Sequence, residues 1–200
     1  MGLLVGGNAS AAFILTRAAF EALADLENLV TDPTYADDMR ASHFKQLERR
    51  LRAALGRSSS NPYLASLAAD PSSASELTSI QADLQSLAAK GKTPLTALDR
   101  FTKAGMLDVY DGPYSAICGH SHNDLGVLQE RHVKFDSSGA PQILYFQEPT
   151  DEDVTLVVDT LAGILANSIA CLVSLVDSQN APALPTIDAK LKAVRALWKP

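Results

Sequence analysis

The stretch "CGHSHNDLG", residues 118–126, sets His120, His122 and Asp124 at alternate positions. How it is read decides the fold. As a loop following a strand, His-x-His-x-Asp is the opening of a di-metal hydrolase site, and the chain would be an α/β protein. As helix, His120 and Asp124 share a face while His122 points about 200° away from His120. On a helix the three cannot hold one ion.

The surrounding sequence favours helix. A metallo-β-lactamase site needs further histidines from later loops, and this chain holds only His43, His120, His122 and His132. No alternation of strand and helix patterns surrounds the stretch. Di-iron bundles use Glu-x-x-His pairs, and the nearest candidate here, Glu130 with His132, has the wrong spacing. Neither metal nor cofactor is expected.

Working outward, residues 9–30, "ASAAFILTRAAFEALADLENLV", are good helix formers stopped by "TDP". Apolar residues lie on nearly every side, which marks a central helix. The exceptions, Arg17, Glu21, Asp25 and Asn28, are spaced to fall on one stripe. A second helix, capped by Asp32 or Thr34 with Pro33 near its first turn, runs to about Arg57. It carries Arg40, His43, Lys45, Arg49, Arg50, Arg52 and Arg57. These read as a solvated face with cations near the negative end of the helix dipole, in preference to a phosphate-binding surface.

Residues 57–76 read as a Ser/Pro/Ala-rich loop with one helical turn at about 63–68. Helical spacing returns over 74–90, ended by "KGK". A short helix follows, with Thr93 as cap, Pro94 at its first position and Gly105 as its stop. After the chain-breaking "YDGP", one helix is expected from 114 to about 131. A β-hairpin at about 132–147 turns through "DSSGAP". Thr150 then caps a long apolar helix over 154–176, and an amphipathic helix over 186–197 closes the chain. The expected architecture is all-α: a single helical bundle over 1–200 with one small β-hairpin between its last long helices.

At 46% hydrophobic and 20% charged, the chain has the composition of a globular domain. A net charge of −6 argues against nucleic-acid binding driven by overall charge. Cys118 and Cys171 sit far apart in apolar runs, as free thiols in a reducing cytoplasm do. The start, "MGLLVGGNAS", lacks the basic region and cleavage site of a secretory signal. Segment 154–176 has the length to span a bilayer, but Asp159 and Asn167 interrupt it and its flanks are "DED" and "DSQN". A buried helix in a cytoplasmic protein, with no membrane association, is the expectation.

"LTRAAFEALADLENLVTDPTYADDM", followed far downstream by "YSAICGHSHNDLGVLQERHV", resembles a bacterial family, domain-of-unknown-function family 5677. The matching positions are Arg17, Glu21, Asp32, Pro33, Tyr35 and Ala36, then Tyr114, Ser115, Cys118, His122, Asn123, Arg131 and His132. The resemblance implies an all-helical fold, with further helix upstream in other members, and supplies no activity. In layout it is similar to the HEPN superfamily of helical bundles, many of which are RNases or toxin and phage-defence components. Those nucleases carry Arg-x(4–6)-His on one helix, and no arginine stands at that spacing before His122.

An arginine inside an apolar helix needs a partner, and Glu21 lies one turn from Arg17. If the first helix packs on the 114–131 helix, Arg17 and Glu21 face His122 and Asn123. That set could bind a phosphodiester, with His122 as acid or base and Arg17 stabilising charge. Arg17, Glu21, His122 and Asn123 are therefore the candidate catalytic residues. Tyr114, Arg131 and His132 are candidate ligand-binding residues. The competing reading is a polar network that fixes the register of two helices. Two functions follow: an HEPN-like RNA-binding or RNA-cleaving protein, or a non-catalytic module that docks on a protein partner. In the second, helix 154–176, with Gly163, Ala166 and Ala170, is a candidate homodimer surface.

Overall fold

A computed structural model describes residues 9–56, 61–121, 124–144 and 150–176, with backbone alone at 9, 10, 120, 121, 130, 131 and 176. The fold is all-α with one two-stranded antiparallel hairpin. The chain divides into two compact units, residues 1–31 with 100–200 and residues 32–99.

In unit 1, α1 (Ala9–Thr31) packs against α9 (Asp151–Val176) and against α7 (Ser115–Ser121). Along α1, Phe13, Thr16, Phe20 and Leu23 are buried at alternating spacings of three and four. On α9 the buried residues are Val157, Ile164 and Cys171, a seven-residue repeat. Both are the spacings that keep one side of a helix on its neighbour. The buried Thr16 hydroxyl donates to the Ala12 carbonyl at 2.8 Å, so it enters the seam without an unmet hydrogen bond.

The expectation of a buried 154–176 helix is met along one side only. Leu161, Leu165 and Leu172 stay exposed along one side of α9. An apolar sequence on all faces calls for partners on all faces, and α1 covers one. Among the described residues, α9 is also the helix long and apolar enough to cross a membrane by length and composition. Its start is as expected: Thr150 Oγ1 accepts from the Asp153 amide, and Asp153 accepts from the Thr150 amide.

The second half of α5 (Ala97–Lys103), from Arg100 on, belongs to unit 1. Thr96, not Thr93, caps this helix, because Asp99 three residues on completes a reciprocal pair with it. Gly105 ends it at φ +68°, a left-handed conformation that costs glycine least. There the Met106 amide donates to the Phe101 carbonyl at 2.9 Å. A short helix, α6 (Leu107–Val109), then runs into a wide turn, Tyr110–Tyr114, kinked at Gly112. Pro113 lacks an amide hydrogen and disfavours helical geometry in the residue before it.

The single helix expected over 114–131 is instead two. α7 ends at Ser121, and α8 (Leu125–His132) starts afresh with Asp124 as its cap, accepting from the Gly126 amide at 2.9 Å. A short carboxylate favours a helix start over a helix interior, and Gly119 and Gly126 on either side weaken continuity. The hairpin is β1 (Val133–Phe135) against β2 (Pro141–Ile143), with Val133 opposite Ile143. The end of the expected hairpin, at 145–147, and the expected helix at 186–197 lie outside the described residues.

Unit 2 packs α2 (Tyr35–Leu55) against α3 (Pro62–Ala69) and α4 (Ser73–Ala89) around Tyr35, Ala41, Leu51, Ile80 and Leu87. The one helical turn expected within this loop is a helix of about two turns, because Asn61 accepts from the Tyr63 amide and Pro62 suits a first helical position. After α4, Gly91 turns the chain at φ +73° and Lys92 reaches back to α2. Its Nζ lies 3.1 Å from Asp38 Oδ2 and donates to Thr34 Oγ1 at 2.8 Å. The Leu95 amide donates to Ser42 Oγ, which fastens this strap along α2.

Candidate functional site

The polar stripe of α1 meets the 100–114 segment residue by residue. Arg17 Nε stands 3.3 Å from Glu21 Oε1 and 3.3 Å from the Tyr114 hydroxyl. The Tyr114 hydroxyl donates to Glu21 Oε1 at 2.7 Å, closing a triangle. Arg100 Nη1 lies 3.4 Å from Asp25 Oδ2 and 3.8 Å from Glu21 Oε2. One turn further, buried Asn28 donates through Nδ2 to the Arg100 carbonyl at 2.9 Å. Two guanidinium groups thus face two carboxylates, with a phenol between them.

Aromatic packing sets the phenol. Tyr114 is buried; its ring stacks on Tyr110 at 5.3 Å between centroids and meets Phe101 at 4.7 Å, tilted by 45°. Arg17 Cζ lies 5.7 Å from the Tyr114 ring centroid, within cation–π range. Burial first, then the hydrogen bond to Glu21, raises the Tyr114 pKa far above its ordinary value. The hydrogen bond to Tyr114 also raises that of Arg17, against a partial burial that pulls the other way. Tyr114 is therefore a neutral donor and Arg17 a fixed cation; neither exchanges a proton near neutrality.

This has a measurable consequence. A raised native pKa contributes stability that is complete below the unfolded value of 10.0 and is lost as pH rises through and beyond it. In an ultraviolet titration, the component missing from Tyr114→Phe is expected to ionise well above pH 10. A missing component centred near 10 would contradict the closed triangle.

The structure brings together Arg17, Glu21 and Tyr114 of the expected site residues. His122 and Asn123 lie outside the described residues, and the Arg131 side chain is likewise not described. His132 stands at the end of α8, with Nδ1 3.3 Å from the Leu144 carbonyl, where it ties helix to hairpin. Arg100, Asp25, Tyr110 and Phe101 belong to the cluster and were not among the expected site residues. Asp25 could be found from its place on the stripe; Arg100 carries no such signal in a short helix.

Elsewhere in unit 1, burial and a hydrogen bond to Glu27 push the Cys171 thiol up to about 11, so it is unreactive near neutrality. Among the described residues no group of three or more His, Cys, Asp or Glu side chains could hold a metal ion.

A family model matches residues 2–140; its description is a family of unknown function, DUF5677. No curated protein matches the chain, and no solved structure matches it.

Proposed function

The chain belongs to DUF5677, a family of unknown function, and we propose that it is a non-catalytic helical module that pairs with a second copy of itself through α9. The observation that carries this reading is, among the described residues, the exposed row Leu161, Leu165 and Leu172, joined by half-exposed Val158 and Ile169. Their spacings of three and four are those of a seam between helices. The row lies on the side of α9 away from Gly163, Ala166 and Ala170, so leucine packing, rather than close approach of small residues, would drive the pairing.

Charge supports a second copy in antiparallel orientation. Asp151, Glu152 and Asp153 crowd the first turn of α9, and no basic residue lies in its last turn. Antiparallel pairing sets the two acidic ends at opposite ends of a helix about 39 Å long, beyond screened repulsion. A bilayer would instead have to accept Asp159 within the span.

The polar cluster supports the non-catalytic side of this reading. An HEPN-like RNA-cleaving site would need Arg17 to hold a phosphate, whereas Arg17 is shared between Glu21 and Tyr114. A phosphodiester would have to compete with a carboxylate at each arginine.

Light scattering after size exclusion is the test. A dimer is expected, and Leu165→Glu with Leu172→Glu should weaken it at least about a hundredfold, since each buried leucine contributes about 1.5–3 kcal/mol. Circular dichroism should keep its helical signal. A monomeric wild type sinks the reading. Labelled RNA cleaved by the wild type and spared by His122→Ala would replace it with the catalytic one.

A further inference from the structure

We propose that the groove along α2 in unit 2 binds the phosphate backbone of a single nucleic-acid strand. Lys45, Arg49 and Arg52 stand at i, i+4 and i+7, one stripe of α2 about 10 Å long. With Ser42 and Gln46 they line a cleft of about 450 Å³ whose far wall is Pro94 and Leu95. On the other side of Lys45 and Arg52, a second cleft of about 380 Å³ runs to Gln81 and Gln85 of α4. Lys45 and Arg52, with Glu48 between them, therefore border both clefts, and Arg49 borders the first.

The side chains are held in place. Glu48 is buried, 5% exposed, and accepts from Lys45 Nζ at 2.9 Å and pairs with Arg52 Nη2 at 2.8 Å. The hydrogen bond from Lys45 holds its carboxyl below the usual range, so it stays ionised and grips both cations. Pinned side chains lose less freedom when a ligand arrives. Arg49, between them, enters no ion pair among the described residues. Three cations thus face one carboxylate, which leaves a local positive surplus on a chain of net charge −6.

A row of cations in an open groove suits a repeating anion better than a single phosphate group. The amides of Gln46, Gln81 and Gln85 add paired donors and acceptors of the kind base edges use. The groove lies wholly within unit 2 and includes no residue of α9, so strand binding and self-pairing are tested separately.

The test is fluorescence anisotropy with a labelled single-stranded oligonucleotide, as RNA and as DNA, over a range of salt. Three phosphate contacts predict a slope of log affinity against log salt of about −2, from about −0.7 per phosphate. Arg49→Ala, at an exposed position, should weaken binding several-fold and flatten the slope by about 0.7. No binding at low salt overturns the proposal, as does a slope that Arg49→Ala leaves unchanged while the variant keeps its melting curve. Binding of a phosphopeptide or of anionic vesicles without binding of either strand also overturns it.

Discussion

Replacing Phe101 with alanine is expected to cost about 3–5 kcal/mol, the range for emptying a buried aromatic site. Phe101 has no exposed surface and lies between Tyr110, at 5.5 Å, and Tyr114, at 4.7 Å. Its loss removes burial and two ring contacts and leaves Tyr114 free to tilt. Because Tyr114 carries the hydroxyl that joins Arg17 and Glu21, the damage should reach the polar cluster. Urea denaturation followed by circular dichroism measures the loss, with Phe101→Leu as a milder control. A cost under about 1 kcal/mol would mean that the site collapses around the gap, against the close packing described.

Glu21→Ala is the second large effect, about 2–3 kcal/mol on the scale for hydrogen bonds to charged groups. Glu21 is the hub: it accepts from Tyr114 at 2.7 Å and lies beside both Arg17 and Arg100. Removing it leaves a buried phenol without its acceptor and two cations with one carboxylate. Combining Glu21→Ala with Tyr114→Phe in a double-mutant cycle isolates the contact, and a coupling of about 0.5–3 kcal/mol is expected. Coupling near zero would show that Tyr114 is held by its rings alone. Loss of stability without change in self-association would separate this network from the proposed α9 surface.

The cluster was half legible in the sequence, for a geometric reason. Arg17, Glu21, Asp25 and Asn28 recur at helical spacing, and a stripe of polar groups on an apolar helix implies a polar partner. The partner is another matter. Tyr114 belongs to the downstream motif, whereas Arg100 sits in a seven-residue helix too short to show a period.

The all-helical class was legible because hydrophobic spacing reports it directly, but two details turn on single residues. Asp124 can sit in a helix or start one, and spacing alone does not separate these; its hydrogen bond to Gly126 does. Thr93 and Thr96 are both caps in principle, and only Thr96 has a carboxylate three residues on. The exposure of α9 was hidden more deeply. Leucines on every side state a demand for partners without saying whether this chain meets it.

The bond from Asn28 to the Arg100 carbonyl has a consequence for how the chain could vary. The backbone leaves unit 1 after Thr31 and returns at Arg100, and this hydrogen bond fastens departure and return side by side. Residues 32–99 are in that sense an insert with a clasp at its base. Closing a longer excursion costs little more, about 0.6 kcal/mol for each doubling of length. The entropy of closing the chain between the two ends therefore changes little with its length. Asn28, a residue with no reactive chemistry, is the position that changes of length would have to spare.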